Sequence, residues 1–540
     1  MSNEPPQILI AGLTAAGPLT LLAFGLLPAK WLNHHSRIAA HTVAQISLTT
    51  LTLTLAALVA RVYVGTVDVH YNVAGPLHLG VYCDNLSAVV LTLVAFLLAV
   101  VTRYSVHYLS GDPGQGRFSK WLGLTGGSVL AIVISGNLIQ FALAWSATSL
   151  SLHQLLLFYP ERPGAVLAAR KKFIISRMGD ASLLAVIVLV FHKFQTWDFT
   201  GIFAAARQLH ASGLPSDAGD ISVICFLLVA GAMLKSAQFP FHSWLPDTME
   251  TPTPVSALMH AGIINAGGFL IIRLSPLVTL SPGAMSTLAL FGAFTALFAS
   301  LVMLTHASVK RSLAFSTVAQ MGFMMLECGL GAFGLAVLHL VAHSLYKAHA
   351  FLASGSIISA AKSAWAPPER ATSGRLPLVG AFVMAGGMAL GGAWVFGRDY
   401  RQEPASLLLG CAFVMALAYA LWNLWSRSLN RKLAVFGTAL TGAIVVVYFW
   451  LHKIFDSVLG EKPWENTQLH SWPGLVLMAT LLLLFLFVLI IQTELPNWAH
   501  RPFFQTVYVH ARNGFYFNTL ANRTVTALWP VKHTNHEPNP

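Results

Sequence analysis

The sequence predicts an all-α polytopic membrane protein with about 15 transmembrane helices, on three observations. Of the 540 residues, 56% are hydrophobic and only 10% are charged, whereas a soluble domain carries about 25% charged residues. Apolar runs of about 20 residues, long enough to cross roughly 30 Å of hydrocarbon, recur from end to end. The runs are unbroken rather than alternating in polarity, which favours helices over a membrane β-barrel.

The predicted helices follow one another along the chain, with boundaries good to a few residues. Residues 194–220 form the longest polar connection and are expected to lie outside as a short amphipathic helix. The tail from residue 497 is too polar to span and is expected along the cytoplasmic face. The predicted spans are 7–28, 42–65, 84–104, 121–136, 138–158, 173–192, 221–239, 252–273, 283–306, 311–329, 333–360, 376–396, 405–425, 433–452 and 471–491.

Positive charges alternate between the connections, which predicts an N-terminus outside and a C-terminus inside. The loops assigned to the inside include Arg162, Arg170, Lys171 and Lys172. This asymmetry accounts for the net charge of +12 without nucleic acid. The four scattered cysteines indicate neither a disulfide framework nor a metal site. No cofactor motif or catalytic constellation is present, so no isolated catalysis is expected.

Three titratable residues lie at i, i+4 and i+8 in an otherwise apolar helix: His339, His343 and Lys347. This spacing places them on one face over about 12 Å, which suits a chain of proton stations. Ionisable residues inside a membrane are costly and point to function. Two histidines at i, i+4 could instead bind zinc, although no sequence-adjacent carboxylate or cysteine completes a site. Polar contacts between helices are the remaining interpretation.

Lys235 lies deep in an apolar segment, five residues before Pro240. The prolines that follow interrupt the helix, and broken backbone in a membrane usually lines a hydrated cavity. Desolvation disfavours the charge of a buried amine, so such a lysine could exchange protons near neutral pH. Snorkelling to an interface is the alternative, but the mid-segment position argues against it.

Other ionisable residues complete the candidate pathway. His260 is suited to relay protons between lysines, although a buried histidine can also be purely structural. Arg177 and Asp180 are spaced i, i+3 and could pair, leaving a carboxylate near a facing lysine. Lys310, by spacing alone, could be a cytoplasmic anchor. Asp84 is predicted to cap a helix, and Glu327, near a helix end, has no assigned role.

Residues 226–360 resemble the proton-conducting core shared by complex I subunit L and the large Mrp antiporter subunit. The matching motifs are Lys235-Ser236-Ala237-Gln238, Pro252 to Leu258 with His260, Val309-Lys310-Arg311 and His339 to Lys347. The resemblance implies that Lys235 is the central protonatable lysine, Lys310 a bridging lysine inside the protein, and His260 and Lys347 further stations. It implies broken helices and an antiporter-like core.

Two departures separate this chain from complex I. The family's Trp-Glu-Gly-Val-Gly motif reads Trp145-Ser146-Ala147-Thr148-Ser149 here, so the glutamate that pairs with the central lysine is replaced by Ser146. Asp180 is then the best remaining carboxylate. Beyond residue 360 the family's Phe-x-Ser-Lys-Asp element is missing, as is the long lateral helix of subunit L.

The chain length, the missing glutamate and the tail from Asn513 to Arg523 resemble the DabB family. DabB is the membrane subunit of a two-component inorganic carbon pump in the bacterial inner membrane. Its partner is DabA, a zinc protein resembling a β-carbonic anhydrase. The resemblance implies that the chain conducts a cation, with H⁺ as the expected ion, which drives conversion of CO₂ to bicarbonate, and that zinc belongs to the partner. A subunit of a complex I-like or Mrp-type Na⁺/H⁺ antiporter is the alternative.

The resulting organisation has four parts. Residues 1–70 are N-terminal transmembrane helices and 71–360 are the antiporter-like core. Residues 361–495 are divergent C-terminal transmembrane helices, and 496–540 are the cytoplasmic tail.

Overall fold

Helices form most of the chain in the computed structural model, which describes residues 5–74, 77–213, 218–355, 375–398, 403–427, 431–459, 469, 471–498 and 500–530. The predicted boundary between the core and the C-terminal helices, at residue 360, lies outside the described residues. The helices are α1 (Pro5–Leu26), α2 (Ala29–His34), α3 (Ser36–Val64), α4 (Asn85–Tyr108), α5 (Gln115–Ile134), α6 (Leu138–Leu156), α7 (Pro163–Phe194), α8 (Phe199–Ser212), α9 (Ala218–Lys235), α10 (Thr253–Ala261), α11 (Ala266–Arg273), α12 (Ser275–Val278), α13 (Pro282–Met303), α14 (Val309–Gly329), α15 (Phe333–Leu352), α16 (Arg375–Val395), α17 (Pro404–Arg427), α18 (Arg431–Leu459), α19 (Trp472–Trp498), α20 (Pro502–Arg512) and α21 (Phe517–Leu528).

The prediction of a polytopic membrane protein is confirmed. Within the described residues, 11 segments are long and apolar enough to cross a membrane. Four further helices that were predicted to span, α5, α6, α9 and α14, are 20, 19, 18 and 21 residues long and are not among those 11. The total of about 15 transmembrane helices stays a prediction.

A β-hairpin was missed by the all-α prediction. Strands β1 (Val67–Ala74) and β2 (Leu77–Cys83) pair antiparallel between α3 and α4. The apolar–polar alternation of Val67, Asp68, Val69 and His70 is a strand signal that was present in the sequence. The hairpin ends at Asp84, whose carboxylate accepts the Ser87 backbone N–H at 2.8 Å and caps α4 as predicted.

Helix α7 begins ten residues earlier than expected, at Pro163. Proline is favoured in the first turn of a helix because its missing N–H has no partner there anyway. Lys171 and Lys172 are therefore helical and buried, with 1% and 4% of their surface exposed. Counting them as charges of an inside loop was wrong. The amphipathic helix expected within 194–220 is present as α8.

The predicted helix over 252–273 is broken, as expected for an antiporter-like core. Its two halves, α10 and α11, are separated by Gly262 and a 3₁₀ turn over Ile263–Asn265. Every residue from Thr253 to Arg273 is buried. Non-helical backbone at membrane depth is tolerated when protein surrounds it, so this segment lies at the centre of the core.

The polar tail forms two short helices rather than a span. Helix α21 packs on α7, where Arg170 donates to the Trp529 carbonyl at 2.7 Å. Asn518 bridges both members of the Lys171–Asp247 ion pair, accepting from Lys171 at 2.7 Å and donating to Asp247 at 3.1 Å. The tail is thus attached to the loop that follows α9.

Candidate proton pathway

Lys235 is the last residue of α9 and is 9% exposed. Its Nζ donates to Ser149 Oγ at 3.0 Å and to the Trp145 carbonyl at 3.3 Å. The same Nζ lies 4.3 Å from the centre of the Trp145 ring. The negative end of the α9 dipole and the ring face both favour a cation here. The site therefore holds the Lys235 ammonium with neutral groups of α6.

Asp180, predicted as the partner of Lys235, makes its closest contact elsewhere. Arg177 Nη2 lies 2.6 Å from Asp180 Oδ2, which forms the predicted i, i+3 ion pair on α7. Asp180 still attracts the Lys235 charge electrostatically. The carboxylate therefore acts on Lys235 through space, with Arg177 neutralising much of its field.

Lys172 is a second buried amine beside Lys235. Its Nζ donates to the Ser149 carbonyl at 2.5 Å, so Ser149 accepts from Lys172 through its backbone and from Lys235 through its side chain. The two ammonium groups repel each other. Proton exchange at either amine relieves that repulsion, because two like charges this close are costly in a medium of low dielectric.

The histidines of α10 and α15 are joined by hydrogen bonds that fix their proton positions. Thr317 Oγ1 donates to the Leu313 carbonyl, so it accepts from Nδ1–H of His260 at 3.0 Å. His343 places Nε2 at 3.2 Å from the His260 carbonyl, which can only accept. His260 thus carries its hydrogen on Nδ1 and His343 on Nε2, which leaves one acceptor nitrogen on each neutral ring.

The three residues predicted along one face of α15 are brought together. The ring centres of His339 and His343 are 6.0 Å apart. Lys347 is fully buried and donates to Ser316 Oγ at 2.6 Å. Its charge is felt by both His260 and His343. These four residues, with Ser316 and Thr317 of α14, form what we call the histidine cluster.

His339 also contacts a carboxylate that the sequence did not place beside it. Glu327 Oε2 lies 2.8 Å from His339 Nδ1. Among the described residues, no three His, Cys, Asp or Glu side chains are grouped to hold a metal ion.

Lys310 lies apart from both groups. It is half-buried and donates to Thr253 Oγ1 at 3.1 Å, at the first residue of α10. His260 is on the last turn of the same short helix. The structure thus places Lys310 against the core, two turns of helix from His260, and not among the most deeply buried amines.

Polar side chains occupy the space between the Lys235 site and the histidine cluster. Ser236 donates to the Ile264 carbonyl at 2.7 Å, and Asn265 donates to Ser344 Oγ at 2.8 Å. A cavity of about 20 Å³ is lined by Asn265, Ser344 and apolar side chains, which is room for about one water molecule. The described hydrogen bonds do not join Lys235 to His260 directly.

Comparison with known proteins identifies the family. A transmembrane family model, NADH:quinone oxidoreductase/Mrp antiporter, matches residues 135–393, and one for the N-terminus of complex I chain 5 matches 72–119. A probable inorganic carbon transporter subunit DabB2 from Halothiobacillus neapolitanus is 42% identical to this chain. The match covers 85% of this chain and 82% of the length of that relative. A probable DabB from Hydrogenovibrio crunogenus is 36% identical over 83% of each chain. The chain belongs to the DabB family.

A solved structure of an Mrp complex from Dietzia sp. has the same fold as this DabB-family chain. The TM-score is 0.61 at 21% identity, over 98% of this chain and 60% of the other. The antiporter-like architecture predicted from the sequence is thereby confirmed. The family relation establishes a membrane transporter subunit.

Sequence reasoning missed three residues of the site in this DabB-family protein: Lys172, Ser149 and Glu327. The Arg162-Pro163 start signal of α7 would have placed Lys172 three turns inside the helix. Glu327 was recognisable as a carboxylate in an apolar run. Its contact with His339 depends on the tight turn between α14 and α15, which brings residues 12 apart together.

Proposed function

We propose that this chain is the H⁺-conducting membrane subunit of an inorganic carbon pump, and that proton flow through it drives bicarbonate formation in a zinc-binding, carbonic-anhydrase-like partner. The observation that supports proton conduction is the set of buried amines and imidazoles running from Lys235 through His260 to Lys347 and His343, with the half-buried His339 beyond them. Each is a group that can hold or release a proton, and the similarity to DabB proteins supports the carbon substrate.

The proposed path uses residues in the order in which the core presents them. Lys235 exchanges protons at the α6–α9 contact, with Lys172 beside it. Within the histidine cluster, His260 connects to His343 and Lys347 of α15, and Lys310 adjoins the start of α10. Asp180 modulates the charge of Lys235. The bacterial inner membrane is the proposed location, with the N-terminus outside and the C-terminus cytoplasmic.

The driving force is sufficient for such a pump. One elementary charge that falls through about 150 mV releases about 3.5 kcal/mol. This free energy corresponds to more than two factors of ten in a concentration ratio. The chain itself contributes the ion path, and we place the zinc and the hydration chemistry in the partner.

The first test is a pull-down of the tagged chain from native membranes, with zinc quantified in the product. We expect one large soluble partner with about one zinc per complex. Recovery of many membrane subunits without a zinc partner would instead identify an antiporter complex and contradict the carbon-pump assignment.

The second test is Lys235→Ala in the purified complex reconstituted into liposomes. We expect proton uptake to fall to background because the central exchanging amine is removed, while the partner is still retained. Lys453→Ala, which removes an exposed lysine of α18, is the matched control and is expected to keep wild-type uptake. Full uptake by Lys235→Ala would contradict the central role of this lysine.

A further inference from the structure

We propose that Glu327 is a proton-accepting residue at one end of the histidine cluster, where it forms a carboxylate–imidazole pair with His339. This inference rests on the proposed function and extends its pathway by one titratable group. Glu327 and His339 face each other across the α14–α15 turn, with 7% and 12% of their side chains exposed.

The Glu327–His339 pair lies at one end of the proposed pathway. Lys310 is the second residue of α14 and Glu327 lies 17 residues later, about 25 Å along the helix axis. Helix α15 runs antiparallel to α14, so Glu327 and His339 both lie near the turn that joins these two helices. Lys347 lies about two helical turns further from that turn, along α15. The pair is therefore far from Lys310 and on the opposite side of the core.

Glu327 lies among apolar side chains, where an ionised carboxylate is energetically costly. Leu326 and Cys328 flank Glu327 and are fully buried, and Leu330 and Leu335 close the turn. An ionised side chain in such surroundings costs several kcal/mol unless it is paired. A hydrogen bond alone could be made by a neutral glutamine, so the acid itself requires an explanation.

The hydrogen bonds define the direction of proton transfer. With Glu327 ionised, its oxygen can only accept, so Nδ1 of His339 carries the hydrogen. Nε2 is buried and makes no hydrogen bond among the described residues. A proton that binds Nε2 converts the ring to imidazolium. Breaking Nδ1–H and forming O–H on Glu327 then returns a neutral imidazole and a carboxylic acid, with no further reactant.

The charged groups around the pair are few. His343 and Lys347 follow on α15, and Cys328 adjoins on α14. Helix α13, which packs along α14, has no titratable side chain in its sequence. From α18, Asp456 lies against Gly334 and is paired with Arg398, with His452 3.7 Å away. His339 is thus the direct partner of Glu327.

The test compares Glu327→Gln with Glu327→Asp in liposomes that contain the complex. Gln keeps the size and an acceptor for His339 but cannot bind the proton. We expect at least a tenfold loss of proton uptake for Glu327→Gln and retention within about threefold for Glu327→Asp. Glu161→Gln, at an exposed loop position, is the matched control. Equal uptake by Glu327→Gln and wild type would overturn the proposal.

Infrared difference spectroscopy of the purified chain separates this inference from the proposed function, since it needs no transport. The 20 Asp and Glu residues of the chain all contribute C=O absorption when they protonate, so the comparison is the wild-type acidification spectrum minus that of Glu327→Gln. We expect this double difference to contain a carboxylic-acid C=O band from Glu327. A double difference without that band would overturn the proposal even if uptake fell. If the Glu327 band is lost in Glu327→Gln while Lys235→Ala still transports protons, Glu327 is supported as a titrating group. The proposed central role of Lys235 would then be contradicted instead. Equal thermal midpoints show that the variants are folded.

Discussion

At the scale of single residues, the central site of this protein brings two amines to one serine. The resemblance to complex I subunit L implies a glutamate at the position of Ser146, whereas here Lys235 donates to Ser149. Lys172 donates to the other oxygen of the same residue. A lysine beside a carboxylate is held charged, whereas a lysine beside another lysine is destabilised in its charged form. Repulsion between Lys172 and Lys235 therefore opposes the state in which both amines are charged.

Substitution of Lys172 tests this interpretation. Lys172→Met keeps the length and removes the amine, and Lys172→Arg keeps a permanent positive charge without proton exchange. If Lys172 exchanges protons, both variants should lose about tenfold in proton uptake by liposomes. If only its charge matters, the arginine variant should retain uptake. Wild-type uptake by Lys172→Met would show that the amine only fills space, with Lys453→Met as the exposed control.

At the scale of elements, an ion pair attaches the broken α10–α11 segment to the start of α4, next to the β-hairpin. Arg273, at the end of α11, donates to both Asp84 oxygens at 2.6 and 3.1 Å and to Ser87 Oγ at 2.6 Å. Asp84 also caps α4. One carboxylate therefore fixes the start of α4 and the end of α11.

Loss of that charge is expected to destabilise the core. In Asp84→Asn the side chain can still cap α4, but the 3%-exposed Arg273 loses its counter-charge. We expect a loss of about 3 kcal/mol, the lower end for removing one partner of a buried pair, measured as a lower thermal midpoint in detergent. Asp220→Asn removes an exposed carboxylate and should change little. An unchanged midpoint for Asp84→Asn would show that the pair is not needed to hold α11.

The sequence predicted the elements better than their contacts. The length of the apolar runs predicted the spans, because the thickness of the bilayer fixes that length. The spacing of His339, His343 and Lys347 placed these residues on one face, because helical geometry depends only on neighbouring residues. The neighbours of Lys235 and His339 depend on how distant helices pack, which no local pattern encodes. Lys172 was misplaced because a short loop and an extended helix have the same composition at a span boundary.

At the scale of the whole molecule, the chemistry of the buried groups supports the proposal that the conducted ion is H⁺. Na⁺ requires several oxygen ligands with negative or strongly dipolar character. The described pathway instead presents Lys235, Lys172, Lys347 and histidine nitrogens. Charged ammonium groups repel a cation, imidazole nitrogen is a poor ligand for a hard ion such as Na⁺, and both kinds of group bind H⁺ covalently. Its two carboxylates are already engaged, Asp180 with Arg177 and Glu327 with His339. The arrangement therefore favours H⁺ over Na⁺ as the conducted ion.

The proposal that H⁺ is the conducted ion predicts how bicarbonate uptake responds to a protonophore and to the removal of Na⁺. In cells that depend on the complex for inorganic carbon, a protonophore should abolish bicarbonate accumulation, because it collapses the gradient that the buried bases use. Replacement of external Na⁺ by choline should leave accumulation within about twofold, since the pathway residues that the structure describes form no free oxygen cluster for Na⁺. Liposomes with an imposed pH gradient and no Na⁺ should still take up protons. Accumulation that requires Na⁺ and resists the protonophore would contradict H⁺ conduction and assign the three buried lysines a structural or gating role.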